Sequence, residues 1–459
     1  MFSPDDTIVA IATPPGRGGI GVVRISGPSA ADVARAILQR ELPLEPRRAT
    51  FTSSAIDEVV ATYFPAPHSY TGQHVVEISA HGSPVILQTI VRNAIVAGAR
   101  LAEPGEFTLR AFLNGKRDLV QAEAVGDLIA AATPLQARVA FDQLDGTLTR
   151  RIAAFDAELF DLVARLEASL DFPDEGYHFI EPAQTARRIG QVVDQLEHLL
   201  SDARRGRMIR EGATVVISGR TNVGKSSLFN SLAGIDRAIV TPIAGTTRDL
   251  VTEQVDIDGL SITLVDTAGW RETTDVVERE GVARAVQARQ VSDLLVVVLD
   301  VSEPMAEEDE QLLQQTRESN RVVVLNKSDL ESTVRLKADT RSEPYVVSGF
   351  SRTGEEPIHV SALTGAGVPQ LRQAIVRALT GRESLRDTAV ISNVRHIALL
   401  ERALGSLLAA REAATAGDTP EEFLLADLQA ARASLDEIVG ARTSDDVLEH
   451  IFANFCVGK

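Results

Sequence analysis

The spacing of hydrophobic residues changes character three times along the 459-residue chain. Over residues 1–118, short runs such as "TIVAIAT", "GIGVVRISG" and "HVVEISAHG" read as strands, and "SPVILQTIVRNAIVAGA" reads as a helix, which predicts a compact α+β unit. From 119 to 210 the period lengthens: in "FDAELFDLVARLEASLDF" Leu159, Leu162, Val163, Leu166 and Leu170 recur at helical spacing and define one buried stripe. Residues 211–380 alternate β-rich runs ("TVVISG", "SITLVD", "DLLVVVLD", "RVVVLN", "PIHVSA") with helical ones, the pattern of a mostly parallel sheet wound with helices. Residues 381–459 return to helical texture in "VRHIALLERALGSLLAAREAA" and "FLLADLQAARASLDEIVGA". The simplest organisation is an insertion, with one discontinuous helical domain, 119–210 plus 381–459, interrupted by the α/β domain at 211–380. The predicted fold class is multidomain α/β.

Composition narrows the setting. At 44% hydrophobic and 24% charged residues the chain suits several globular cores. Its longest apolar runs, such as "LLVVVLDV", are strand-sized, which predicts no membrane span. One cysteine and no charged-then-apolar leader predict a reducing, cytoplasmic setting. A net charge of −18 argues against broad electrostatic binding of nucleic acid, so an RNA substrate would be gripped locally. The arginine-rich "SDARRGRMIR" is one place for such a grip; its plainer reading is a solvated helix end.

The candidate chemistry is concentrated at strand ends. "GRTNVGKS", Gly219 to Ser226, follows a strand and opens a helix, as a phosphate-binding loop should. Amides from Asn222, Val223, Gly224 and the Ser226–Ser227 turn would face phosphate oxygens, Lys225 would neutralise the β and γ groups, and the Ser226 hydroxyl would ligate Mg²⁺. "DTAG" (Asp266, Thr267, Ala268, Gly269) would hold the magnesium shell and sense the γ-phosphate. "NKSD" places Asn326, Lys327 and Asp329 after a strand, and the last carboxylate suits the adjacent N1–H and N2 amino donors of guanine. Ser361 and Ala362 of "SAL" complete the set, predicting a GTP-hydrolysing domain. Between the first two motifs "TPIAGTTRD" supplies Thr241, Pro242, Ile243, Ala244, Gly245, Thr246 and Thr247 as a mobile switch.

Trp270 stands where a water-orienting glutamine would be expected. Catalysis must be organised otherwise. Asn222 offers a side-chain carbonyl beside the β–γ bridge for a monovalent cation, and it has also the plainer role of shaping its loop. Glu278 would position water, with Arg271 the rival stabilising group. The only thiol, Cys456, lies in "FCVGK"; a prenylation signal would need an aliphatic residue where Gly458 stands and usually Ser, Met, Gln, Ala, Leu or Phe where Lys459 stands, so the alternatives are a packed tail and a site residue.

Together with the nucleotide motifs, "ATPPGRGGIGVVRISG", "SYTGQHVVEISAHG", "AEPGEFTLRAFLNGKRDLVQAEA", "DTAGWRETTDVVEREG" and "FCVGK" make the chain resemble the MnmE (TrmE) family of tRNA modification GTPases across nearly its whole length. Two departures are conservative: Val457 for the more usual isoleucine and Trp270 for leucine. The resemblance implies an N-terminal domain that binds a tetrahydrofolate derivative (5-formyl or 5,10-methylene) and dimerises, a helical domain, and an inserted Ras-like G domain. It implies a homodimer that works with the FAD-containing partner MnmG (GidA), in a heterotetramer or larger complex. Together they would install a carboxymethylaminomethyl-type group at C5 of the wobble uridine of tRNA.

Carried over by residue, the resemblance implies folate contacts at Arg24, Glu77, Lys116 and Lys459, a potassium loop at Asn222, Thr241, Ile243 and Thr246, and Mg²⁺ at Ser226 and Thr247. Cys456 would then approach the one-carbon unit, and Gly458 would let the tail bend toward it. Two other classes, a ribosome-assembly GTPase and a prenylated switch, share the phosphate loop but lack respectively an RNA-binding module and a fitting C-terminus in this sequence.

Overall fold

The computed structural model describes residues 5–38, 43–171, 182–234, 251–266, 292–330, 356–381, 391–416, 420–453 and 455–459. In chain order the first elements are β1 (Ile8–Ile11), β2 (Gly18–Ser26), α1 (Ala30–Ile37), β3 (Thr50–Ser53), β4 (Glu58–Phe64), β5 (Val75–Gly82), α2 (Pro84–Val96), β6 (Arg100–Leu101) and α3 (Glu106–Leu113). Helices α4 (Leu119–Ala130), α5 (Pro134–Leu144), α6 (Thr147–Asp171), α7 (Pro182–Ser201) and α8 (Ala203–Glu211) follow. The second α/β segment runs β7 (Ala213–Ser218), α9 (Lys225–Ala233), β8 (Val251–Ile257), β9 (Leu260–Asp266), β10 (Leu294–Asp300), α10 (Glu307–Gln315), β11 (Arg321–Asn326), β12 (Ile358–His359) and α11 (Val368–Thr380). It ends in α12 (Val394–Ala416), α13 (Glu421–Val439) and α14 (Asp445–Ala453).

Contacts divide the chain into two units, one of Met1–Gly126, Asp142–Asp194 and Leu399–Lys459, the other of Asp127–Phe141 and Gln195–Ala398. In the first, six strands pair in the order β3-β4-β5-β2-β1-β6, antiparallel except for β1 with β6. Strand alternation sends Val23, Ile25, Val76 and Ile78 to one face, where they pack with Val33 and Ile37 of α1 and Leu87 and Ile90 of α2. Each such fully buried side chain contributes roughly 1.5–3 kcal/mol. The same alternation turns Arg24 and Glu77 to the other face, as direct register partners. Strands β3 and β4 escape a sequence reading because β3 is a four-residue edge strand of mixed polarity, "TFTS", with Phe51 exposed.

The helical stripe forms as its spacing predicts. Leu159, Leu162, Val163 and Leu166 of α6 are buried, as are Leu424, Leu428, Ala431, Leu435 and Ile438 of α13, which packs against it. Leu170 is only half-buried, one residue short of the helix end. Arg432 of α13 ties the pair by donating to Asp156 of α6 at 2.7 Å.

In the second unit the sheet order is β12-β11-β10-β7-β9-β8, parallel except for the β8–β9 hairpin. Every residue of β10 is buried, which explains its continuous apolar run, "LLVVVLD". Residues 127–141 also belong here: Val139 joins the core of this sheet, Leu135 packs on the β8–β9 turn at Gly259, and Thr133 Oγ1 donates to the Gly259 carbonyl at 2.9 Å. Among the described residues no helix is long and apolar enough to cross a membrane.

Candidate functional site

The phosphate loop leaves the C-terminal end of β7, in the middle of its sheet, and closes at α9. Asn222 and Gly224 adopt left-handed conformations, φ +65° and +95°. A Cβ on Gly224 would lie 2.3 Å from Asn326 Nδ2, so only glycine fits. Lys225 Nζ donates to the carbonyls of Gly219 and Arg220 at 2.9 and 2.7 Å. Burial pushes the Lys225 pKa below the usual lysine value, against the opposing pull of Asp266. A buried ammonium gripped by its own loop is suited to meet phosphate oxygens.

Asn326 acts as a staple. Its Nδ2 donates to the Val223 carbonyl at 2.9 Å and its Oδ1 accepts from the Ala362 amide at 3.0 Å, joining three loops that sequence places far apart. Lys327, at φ +63°, pairs with Asp300 at 2.5 Å. Burial raises the Asp300 pKa, but hydrogen bonds from Lys327 and Ser302 outweigh it and hold the carboxyl below its ordinary range. Asp329 is exposed, Ser361 is buried, and the Ser361 hydroxyl accepts from the Thr364 amide at 3.2 Å. Ser226 Oγ donates to Asp266 Oδ2 at 2.8 Å, a hydroxyl and a carboxylate of the hard-oxygen type that Mg²⁺ prefers. Among the described residues no group of three metal-binding side chains is found. Thr241, Pro242, Ile243, Ala244, Gly245, Thr246, Thr247, Thr267, Ala268, Gly269, Trp270, Arg271 and Glu278 lie outside the described residues.

A second constellation forms in the first unit, on the face of the sheet opposite α1 and α2. Arg24 Nη2 pairs with Glu77 Oε1 at 2.8 Å, and its Nε donates to the same oxygen at 2.9 Å. The Arg24 guanidinium lies 5.1 Å from the Tyr70 ring centroid and 5.7 Å from that of Phe107. The C-terminal tail arrives at this point. The amides of Gly105 and Phe107 donate to the carbonyls of Cys456 and Lys459 at 3.4 and 3.1 Å, and Arg24 Nη1 donates to the Gly458 carbonyl at 3.3 Å. Gly458 is buried at φ +99°, where a Cβ would meet the Ile11 carbonyl oxygen at 2.4 Å. Cys456 stays exposed.

Lys459 is half-buried at this junction. Burial first, then the charge of Arg24, push its pKa below the ordinary lysine value, while Glu77 and Cys456 act the other way. Arg24, Glu77 and Lys459 are therefore brought together. Lys116 is exposed beside Gly72, and no described contact joins it to those three. Two cations, a carboxylate and two aromatic rings suit a flat heteroaromatic ligand with anionic groups, which is the chemistry of a folate.

Sequence reasoning missed what holds this site. Gly126 lies flat against Phe455, its would-be Cβ 3.2 Å from the ring, and Gly105 at φ +67° lets the backbone approach Phe452. Below them Glu106 and Arg110, 1% and 2% exposed, form an ion pair at 2.8 Å that Arg100 and Asp6 extend. "PGEF" signals Gly105 and Glu106 only as a string; Arg110 is the local i,i+4 partner of Glu106, while Phe452 and Asp6 come from remote segments.

Comparison with known proteins finds one family along nearly the whole chain. Residues 7–116 match the family described as GTP-binding protein TrmE N-terminus, and residues 119–456 match the MnmE helical domain. A protein of Koribacter versatilis named tRNA modification GTPase MnmE is 45% identical, covering 99% of this chain and 99% of its own. Proteins of the same name are 43% identical in Nitrosomonas europaea, covering 100% of both chains, and 41% identical in Aquifex aeolicus, covering 99% of this chain and 100% of its own.

Proposed function

This chain belongs to the MnmE family of tRNA modification GTPases, and from that premise we propose that it works as a homodimer with the FAD-containing partner MnmG to add a folate-derived carboxymethylaminomethyl-type group to C5 of the wobble uridine, in the cytoplasm. The proposal keeps the division into 1–118, 119–210, 211–380 and 381–459 as N-terminal, helical, G and second helical segments. The observation that carries it is the docking of the Cys456–Lys459 tail beside the Arg24–Glu77 pair, because it joins a thiol to a pocket of folate-like chemistry.

In the G domain, Lys225 neutralises phosphate charge and Asn326 holds the phosphate loop to the guanine-side loops. Asp329 accepts from the guanine edge, with Ser361 and Ala362 beside it. Ser226 and Thr247 would hold Mg²⁺. Asn222, Thr241, Ile243 and Thr246 would hold K⁺, which supplies positive charge at the β–γ bridge when bound. Glu278 orients the attacking water. In the N-terminal domain Arg24, Glu77, Lys116 and Lys459 bind and orient a tetrahydrofolate derivative, the source of the added carbon.

Titration of the full chain with 5-formyltetrahydrofolate tests this reading. Binding by the wild type, weakened roughly tenfold or more by Arg24→Ala through loss of a charge-assisted contact, supports it. Absence of binding by the wild type contradicts it.

A further inference from the structure

A folate ends in a glutamate remote from its ring, and the cations at the tail junction already face protein groups. Arg24 is turned to Glu77 at 2.8 Å and to the Gly458 carbonyl at 3.3 Å, and Lys459 is half-buried in the field of Arg24 and Glu77.

Arg117 is placed differently. It lies just beyond α3, in a turn that Asn114 fixes to the Tyr70–Gly72 loop by donating from Nδ2 to the Thr71 carbonyl at 2.7 Å. Gly115, at φ +65°, bends the chain there, and the Lys116 amide donates back to the Ala111 carbonyl at 2.8 Å. The turn delivers Arg117 to Tyr70. Its guanidinium lies over that ring, 5.5 Å from the centroid, and Arg24 lies over the same ring at 5.1 Å. Tyr70 is anchored, because its hydroxyl shares a hydrogen bond of 2.8 Å with Thr108 Oγ1. One fixed ring thus carries two guanidinium groups, and its π-electrons offset part of their repulsion.

The nearby carboxylates are engaged elsewhere. Glu77 pairs with Arg24, and Glu106 is buried against Arg100 and Arg110. Asp118, next in sequence, caps α4: it accepts from the Gln121 amide at 2.8 Å and from Thr149 Oγ1 at 2.7 Å. Among the described residues Arg117 has neither an ion pair nor a hydrogen bond, although it is half-buried. A guanidinium fork held in place by a ring and met by no carboxylate is prepared for an anion from outside. Lys116, exposed beside Gly72, adds to the same positive edge.

We propose that Arg117 is a further folate-binding residue, which takes the carboxylates of the ligand's glutamate end. This deepens the reading of the N-terminal domain as a folate site and rests on it. The pterin edge presents N–H donors that suit the Glu77 carboxylate, so the glutamate end is the one left for Arg117. The contacts from Glu77 through Arg24 and Tyr70 to Arg117 set the direction in which the ligand lies.

Calorimetric titration of the full chain with 5-formyltetrahydrofolate and with its glutamate diamide, which keeps the size of the ligand and removes both charges, tests the assignment as a cycle. The melting temperature reports that each variant is folded. Arg117→Ala should weaken binding of the acid roughly tenfold or more, the loss of a hydrogen bond between charged groups, and leave binding of the diamide nearly unchanged. Arg117→Lys, which keeps the charge without the fork, should fall between wild type and Arg117→Ala for the acid. If Arg117→Ala weakens both ligands equally, the residue only supports the ring of Tyr70 and the assignment fails; it fails also if neither affinity changes. Wild-type chain that binds neither ligand would overturn the folate reading beneath it as well.

Discussion

Arg24 and Glu77 are register partners on adjacent antiparallel strands, and the guanidinium that holds the carboxylate at 2.8 Å also donates to the carbonyl of Gly458. One side chain thus ties the sheet to the C-terminal tail. Gly458→Ala attacks that tie without touching charge. At φ +99° a side chain is strained by about 1–2 kcal/mol, and its Cβ would collide with the Ile11 oxygen at 2.4 Å. The tail should undock, seen as faster proteolysis after Phe455, while GTP hydrolysis stays near wild type. A tail that remains protected would contradict this.

Gly224→Ala should act on the other site. The new methyl would stand 2.3 Å from Asn326 Nδ2, forcing apart the staple between the phosphate loop and the Asn326–Ala362 corner. We expect GTP affinity to fall roughly tenfold or more, the loss of one to two hydrogen bonds to charged groups. Calorimetric titration with GTP checks it, and unchanged affinity would show that the loop relaxes freely.

The proposed guanine contact is made by Asp329, which is exposed at the end of the "NKSD" turn. Asp329→Asn should shift preference from GTP toward xanthosine triphosphate by about 1–3 kcal/mol, since an amide can donate to the C2 carbonyl that replaces the amine. Equal selectivity in mutant and wild type would refute the guanine assignment.

Docking of the tail should depend on pH through Lys459. Its docked pKa lies below the ordinary 10.5 through burial and then Arg24, so the undocked tail binds more protons in that interval. The contribution of Lys459 to docking is therefore complete above 10.5 and is lost as pH falls through the depressed value. Amide exchange of Phe107, whose N–H donates to the Lys459 carbonyl, should show stronger protection relative to intrinsic exchange as pH rises through this window. Weaker relative protection would contradict the sign.

Those features that are local in sequence were legible there. The phosphate loop, the parallel strands and the stripe of α6 each follow from spacing within one segment, because backbone geometry alone fixes which residues share a face. The convergence of Arg24, Glu77 and Lys459 was expected only from family resemblance. What remained hidden is long-range: Asn326 as a staple, Gly126 under Phe455, and the reach of Arg110 to Asp6 depend on partners that no periodicity announces. The units also divide the expected helical segments, 142–194 going with the first sheet and 127–141 with the second, because Val139 and Leu135 find their apolar partners there.

The central claim is that the tail serves modification of tRNA and not hydrolysis of GTP. Nucleoside analysis of tRNA from cells whose only copy lacks Val457 to Lys459 tests it most directly. The account predicts loss of the modified wobble uridine while the purified truncated chain hydrolyses GTP near the wild-type rate. A normal level of that nucleoside would contradict it.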